Sequence, residues 1–296
     1  IRLGFSIFTR VNIYMTPDQY CQQKTKASHS SFALAFFFLS KKKRLALTAL
    51  YAFCREVDDI VDDCKEKTVG KNKLDEWRLE IDRLFDQAPQ HPVSVALSPH
   101  ITPCKLDKKH FIEIIDGMEM DLNCNRYNDL KKLKIYCYRA ASAVGLLSAH
   151  IFGYTNKSTL KYAHDLGLAL QITNIIRDIA EDSERGRIYI PLELLDKYNI
   201  SENDILHNKN NKQIALLVDE LSKLAKNYYQ SSINHLPDED KEMQKPGLIM
   251  GNIYFILLQK IMKGNTGNTL DNRVSLSTHK KLMIAITTSL GKTWIY

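Results

Sequence analysis

The sequence predicts an all-α protein, a single domain of roughly ten helices around one core. Three observations carry this. Apolar residues recur at helical spacing (i, i+3, i+4, i+7) along almost the whole chain. Gly (12) and Pro (8) are scarce in 296 residues, which leaves room for long helices between few turns. Only residues 187–190 alternate as a strand does, and they are too short to build a sheet.

The elements follow in chain order. Thr16 and Pro17 suit the start of a first helix, where the missing N–H of Pro costs nothing. A second helix spans residues 42–63, and others fit 74–85, 108–122, 130–152, 158–181, 213–235, 248–263 and 278–290. Breakers separate them: Gly70, Pro89, Pro99, Pro103, Gly153, Gly186, Pro191, Pro237, Pro246 with Gly247, and Gly264. No internal repeat, low-complexity tract or linker divides the chain. Residues 1–14 mix apolar and basic side chains without a signal-peptide core or cleavage site. They are expected to be an extension ahead of a natural start at Met15, with the domain running from 15 to 296.

Composition narrows the function classes. Hydrophobic residues make up 44% and charged residues 25%, as in ordinary globular proteins. The formal charge of +7 suits an anionic ligand, an acidic membrane surface or plain solubility, and is too diffuse to indicate nucleic acid. The most apolar run, residues 32–39, is too short to cross a bilayer and is followed by Lys41, Lys42, Lys43 and Arg44. The six cysteines form no C-x-x-C pair and have no His at zinc-finger spacing, so they read as reduced thiols of a cytoplasmic protein.

The chemistry begins at Asp58-Asp59-Ile60-Val61-Asp62-Asp63. On a helix Asp58 and Asp62 share a face, as do Asp59 and Asp63. Like charges at that spacing cost a few tenths of a kcal/mol per pair. A hard divalent cation such as Mg2+ removes the conflict, because carboxylate oxygens are its preferred ligands. Arg55, one turn before Asp59, and Tyr51, one turn before Arg55, extend this face, with Arg55 a candidate phosphate-binding fork. The alternative is a solvated acidic face with an i, i+4 Arg–Asp pair. A second cluster repeats the logic: Asn174, Asp178 and Asp182 form one polar stripe bordered by Leu168, Ile172, Ile175, Ile176 and Ile179. Polar groups embedded in a buried helix need partners, so the stripe is expected to face an internal cavity holding metal, as an all-oxygen set suited to Mg2+. The alternative is a capped, exposed helix end. Arg177, Arg185 and Arg187 are candidate diphosphate clamps or ordinary surface arginines.

Residues 49–63, residues 170–182 and the stretch from Arg185 to Pro191 resemble the two Asp-rich signatures of the squalene/phytoene synthase family. The resemblance extends over about residues 16–294. Residues 15–24, 114–121 and 136–139 look most like its bacterial presqualene-forming branch in hopanoid pathways. The resemblance implies an α-helical isoprenoid synthase fold with helices around a central cavity. It implies metal ligands Asp58, Asp62, Asn174, Asp178 and Asp182, with Asp59 in support. It also implies diphosphate contacts from Tyr51, Arg55, Arg177, Tyr254 and Arg273, a cavity tyrosine at Tyr136, and a flap bearing Ser31, Phe32 and Phe36. The flap departs from the family pattern in Ala33-Leu34-Ala35.

The implied reaction is a Mg2+-dependent, head-to-head condensation of two farnesyl diphosphates to presqualene diphosphate, with Asp58, Asp62, Asp178 and Asp182 central to catalysis. An apolar cavity must exclude water from the allylic cation, and Phe36, Phe37, Leu146, Leu147, Leu168 and Ile172 are candidate linings or plain core. The base is Tyr136 or the bound diphosphate. The sequence holds no G-x-G-x-x-G, so a reductive second half is not expected. Expected partners are farnesyl diphosphate, a membrane surface met peripherally and enzymes downstream in the pathway, at the inner face of the cytoplasmic membrane. The C-terminal stretch 280–296 reads as a core-packing helix or as the membrane-facing one. The alternatives are a phytoene synthase using geranylgeranyl diphosphate, a squalene synthase, and an inactive isoprenoid-binding or assembly protein on the same fold.

Overall fold

The computed structural model describes residues 15–27, 39–64, 66–209, 211–263, 273–293 and 295. Residues 1–14, the flap residues Ser31, Phe32, Ala33, Leu34, Ala35 and Phe36, and also Phe37 and Trp294, lie outside them. The helices are α1 (Pro17–Ala27), α2 (Lys41–Asp63), α3 (Lys67–Phe85), α4 (Pro92–Ile101), α5 (Lys108–Asn123), α6 (Leu130–Cys137) and, across a π-helical turn (Tyr138–Ser142), α7 (Ala143–Phe152). There follow α8 (Ser158–Arg177), α9 (Ile179–Glu184), α10 (Leu192–Lys197), α11 (Glu202–Leu206), α12 (Lys212–His235), α13 (Lys245–Lys263) and α14 (Thr278–Ser289). The all-α expectation holds. The strand-like stretch makes a single parallel bridge, Ile188 with Arg126.

Three local readings are corrected. Pro99 does not end a helix but lies inside α4, where it removes only one backbone donor near the end of a short element. The α4 start is set by Pro92 and by the His91 ring, which accepts the Val93 N–H at 3.2 Å. The helix expected over 158–181 breaks at Asp178, whose φ of −103° and ψ of 13° separate α8 from α9. The register nevertheless survives: the Asp178 N–H donates to the Asn174 carbonyl and the Asp182 N–H to that of Asp178, both at 2.9 Å. The short α10 and α11 escaped the periodicity reading because one turn holds too few apolar positions to show a period.

Two apolar clusters flank the middle of the molecule. One gathers α1 to α5 around Phe53, whose ring meets Trp77 at 5.4 Å and Phe111 at 5.3 Å edge-on. The other packs α8 against α12 through residues such as Ile172, Ile176, Leu217 and Tyr229. Helix α8 also presses on the π-helical turn. A Cβ on Gly167 would stand 2.5 Å from the Ser142 Cα, so only glycine permits this approach. Buried Asp240 accepts from Thr155, Asn156 and Thr159, which pins the turn before α8 to the turn before α13. Among the described residues no helix is long and apolar enough to cross a membrane.

Candidate active site

The two acidic clusters end α2 and span the α8–α9 junction, and basic side chains hold both. Arg55 donates to Asp58 at 2.6 Å and also to Asp59, so the i, i+4 Arg–Asp pair expected as one alternative is present. Lys24 of α1 reaches Asp59 at 2.9 Å and Glu56 at 3.0 Å. Arg177 pairs with Asp178, which Arg273 also approaches at 3.0 Å. Most telling is Asp62. It receives Arg185 at 3.1 Å and Arg187 at 3.6 Å, which bind the tail of the second motif to the first across 123 residues of sequence. The clusters therefore face one another, and the second is not an exposed helix end, since the Asp178 side chain is only 17% accessible.

Crowding of carboxylates away from water shows in their proton affinities. Burial, then neighbouring Asp178, pushes Asp182 up to about 7 against the pull of Arg187 and Arg185. Burial also raises Asp58, opposed by Arg55 and reinforced by Asp62 and Asp59. Asp121 of α5 lies beneath. Burial lifts it to about 6, although Tyr189 donates to it at 2.7 Å and Tyr136 at 3.0 Å. The rings of Tyr127, Tyr136 and Tyr189 stack around this carboxylate.

Beside the clusters lies a cavity of about 230 Å3 bounded by α2, the π-helical turn with α7, α8 and α13. Helix α8 contributes Ala163, Leu166, Gly167, Leu170, Gln171 and Asn174, a single helical stripe that leads to Asp178 one turn later. Tyr51, Gln171, Asn174 and Tyr254 form a polar rim at the acidic end, and Arg177 sits 5.9 Å over the Tyr254 ring. Phe152 and Tyr162 line the cavity further from the acids. Leu146, Leu147, Leu168 and Ile172 are not among the residues lining this cavity. They project from the other sides of α7 and α8 into the two cores, because the lining stripe takes Val144, Gly145 and Ser148 on α7 and the stripe just named on α8. Tyr136 does not line it either, because its hydroxyl is committed to Asp121.

Among the described residues no three His, Cys, Asp or Glu side chains already converge as a metal site. The donor chemistry still fits a hard cation. The Asn174 Oδ1 is buried without a hydrogen-bond partner, at the cavity rim one turn from Asp178, and such an orphaned acceptor costs about 1–3 kcal/mol unless something occupies it. Asp58, Asp59, Asp62, Asn174, Asp178 and Asp182 supply oxygen alone. Sequence reasoning missed Lys24 and Lys281. Burial, then the charges of Arg177 and Arg273, lowers the proton affinity of the Lys281 ammonium. No local motif marks either lysine. Asp121 belongs to a stretch used only for the resemblance, and its role emerges from the two tyrosines that meet it.

Residues 25–280 match the sequence profile of the squalene/phytoene synthase family. The chain is 32% identical to the 15-cis-phytoene synthase of Synechocystis, over 90% of this chain and 82% of that one. It is 35% identical to the presqualene diphosphate synthase of Rhodopseudomonas palustris, over 85% of this chain and 90% of that one. A crystal structure of a dehydrosqualene synthase in complex with ligand superposes with a TM-score of 0.84 at 27% identity, covering 93% of this chain and 96% of that one. With a family profile matched over residues 25–280 and relatives above 30% identity along most of the chain, this protein belongs to the squalene/phytoene synthase family and is a prenyltransferase of that type.

Proposed function

We propose that the protein condenses two farnesyl diphosphates into presqualene diphosphate and stops there. The carrying observation is the apolar cavity lined by Cys54, one helical turn before Asp58, and by Asn174, whose oxygen is orphaned and which stands one turn before Asp178. Two C15 diphosphates give one C30 cyclopropyl diphosphate, one inorganic diphosphate and one proton. Asp58, Asp62, Asn174, Asp178 and Asp182, with Asp59 in support, would hold Mg2+. When bound, Mg2+ would supply Lewis-acid charge to the departing diphosphate. Arg55, Arg177 and Arg273, with Lys281 behind them, carry the donors that take diphosphate oxygens. Tyr51 and Tyr254 would orient the diphosphates at the rim. Leu166, Leu170 and Met250 keep water from the allylic cation. Tyr136 is a poor base where it stands, since its phenol is raised well above its ordinary value by burial and donates to Asp121. The released diphosphate is then the better proton acceptor. Ser31, Phe32 and Phe36 are proposed as substrate contacts.

The 35% identity to the Rhodopseudomonas enzyme supports the shorter chain. The second reading, condensation of geranylgeranyl diphosphate to phytoene, is favoured by the several relatives that carry the name phytoene synthase. Purified protein with Mg2+ and either diphosphate, with and without NADPH, separates the readings by mass spectrometry. A C30 cyclopropyl diphosphate that NADPH leaves unchanged supports the proposal. Squalene rising with NADPH, or a higher kcat/KM on the C20 substrate, overturns it.

A further inference from the structure

Four of the large apolar side chains most exposed on the described surface lie on α14 or at its end. Leu282 is 46%, Met283 41%, Ile286 50% and Leu290 82% accessible. They fall at helical spacing on one outer face, while Ile284, Ala285 and Thr288 point inward. Ile284 and Ala285 pack on Ile249 and Ile253 of α13, and the Asn252 amide donates to the Thr288 hydroxyl at 2.9 Å. The inner face is thus satisfied, and the outer stripe is not needed to hold the helix. Clustered apolar exposure of this kind marks a binding surface.

The charge around the stripe indicates what it meets. From Val274 to Lys292 the chain carries no Asp or Glu, while Lys280 and Lys292 are basic and exposed, with His279 on the exposed face. A second copy of the same face would set these cations against their own kind, which disfavours self-pairing. Anionic headgroups above an acyl layer match both the cations and the apolar stripe. Helix α13, on which α14 lies, lines the apolar cavity through Met250 and Tyr254, so the stripe stands one helix away from that cavity.

We infer that α14 docks the protein flat on an anionic lipid bilayer, with Leu282, Met283, Ile286 and Leu290 in the acyl boundary and Lys280 and Lys292 at the headgroups.

The test is co-sedimentation with vesicles of phosphatidylcholine and phosphatidylglycerol in equal parts, against phosphatidylcholine alone. No prenyl substrate is present, so the result is independent of the proposed condensation. Wild type should pellet with the anionic vesicles and remain soluble with the neutral ones. Ile286→Asp with Leu290→Asp should lower the bound fraction roughly tenfold or more, and Lys280→Glu with Lys292→Glu should do the same and remove the salt dependence. Both doubles change exposed positions, so their circular dichroism and turnover in detergent should match wild type. Wild type left in the supernatant, equal binding to both vesicle types, or undiminished binding by the Asp double overturns the inference. So does a dimer by light scattering that the Asp double dissociates, which would make a second copy the occupant.

Discussion

Replacing Asp182 with Asn should stabilise the metal-free protein and abolish its activity. The folded protein holds the Asp182 proton up to about 7, against an ordinary 3.8, chiefly through burial and the nearby Asp178. The folded state therefore binds more protons than the unfolded chain between those values. Stability falls as pH rises through the window, and the full cost is present above its upper end. Three pH units correspond to about 4 kcal/mol. Water at the cleft mouth screens part of this, leaving about 2 kcal/mol. The amide introduced by Asp182→Asn carries no charge to desolvate, so in EDTA near pH 8 the variant should melt about 4 °C above wild type. Near pH 5 the gap should shrink. Mg2+ should reverse the order, because it binds the ionised carboxylate and lifts wild type more than the variant. Thermal unfolding of both proteins at the two pH values, in EDTA and in Mg2+, measures all of this. A variant less stable than wild type in EDTA near pH 8, or one with undiminished turnover, would refute the reasoning.

Four further outcomes are expected. Asp58→Asn and Asp178→Asn should each lower turnover by two or more orders of magnitude with an unchanged circular dichroism spectrum, since an amide is a weak ligand where a carboxylate is needed. EDTA should abolish turnover, and Mg2+ should restore it where Zn2+ does not, because the donor set is oxygen alone. Gly167→Ala should cost about 1–3 kcal/mol in chemical denaturation, because the new Cβ would meet the Ser142 backbone 2.5 Å away. Tyr162→Phe should be neutral or stabilising by about 1 kcal/mol in the same assay, since the Tyr162 hydroxyl is buried without a hydrogen-bond partner in the structure. A clear loss on Tyr162→Phe would mean that the hydroxyl has a partner after all.

Much of the fold was legible because helices write their faces into local spacing. The stripe at Asn174, Asp178 and Asp182 could be placed on one side from its i, i+4, i+8 positions, and it stays there even though the backbone breaks at Asp178, because the two hydrogen bonds across the break keep the register. The long helices were found the same way. Helix α4 was missed because Pro99 reads as a breaker locally, while its cost depends on where in the helix it falls. Cavity lining could not be told from plain core where hydrophobicity alone was the guide. Leu146 and Ile172 are as apolar as Leu166 and Leu170, and only the direction of each helix face relative to its neighbours separates core from chamber.

By itself the sequence determined the helical class, the two acidic motifs and the family, all of which are properties of residue type and short-range order. Tertiary structure alone decided that Arg185 and Arg187 reach Asp62, that Lys24 pairs with Asp59, that Tyr136 serves Asp121 and not the cavity, and that the outer face of α14 is left exposed among the described residues. Each is a contact, or a missing contact, between segments far apart in the chain. Local periodicity says which side of a helix is apolar, but only the packing of distant helices determines whether that side meets a core, a chamber or solvent.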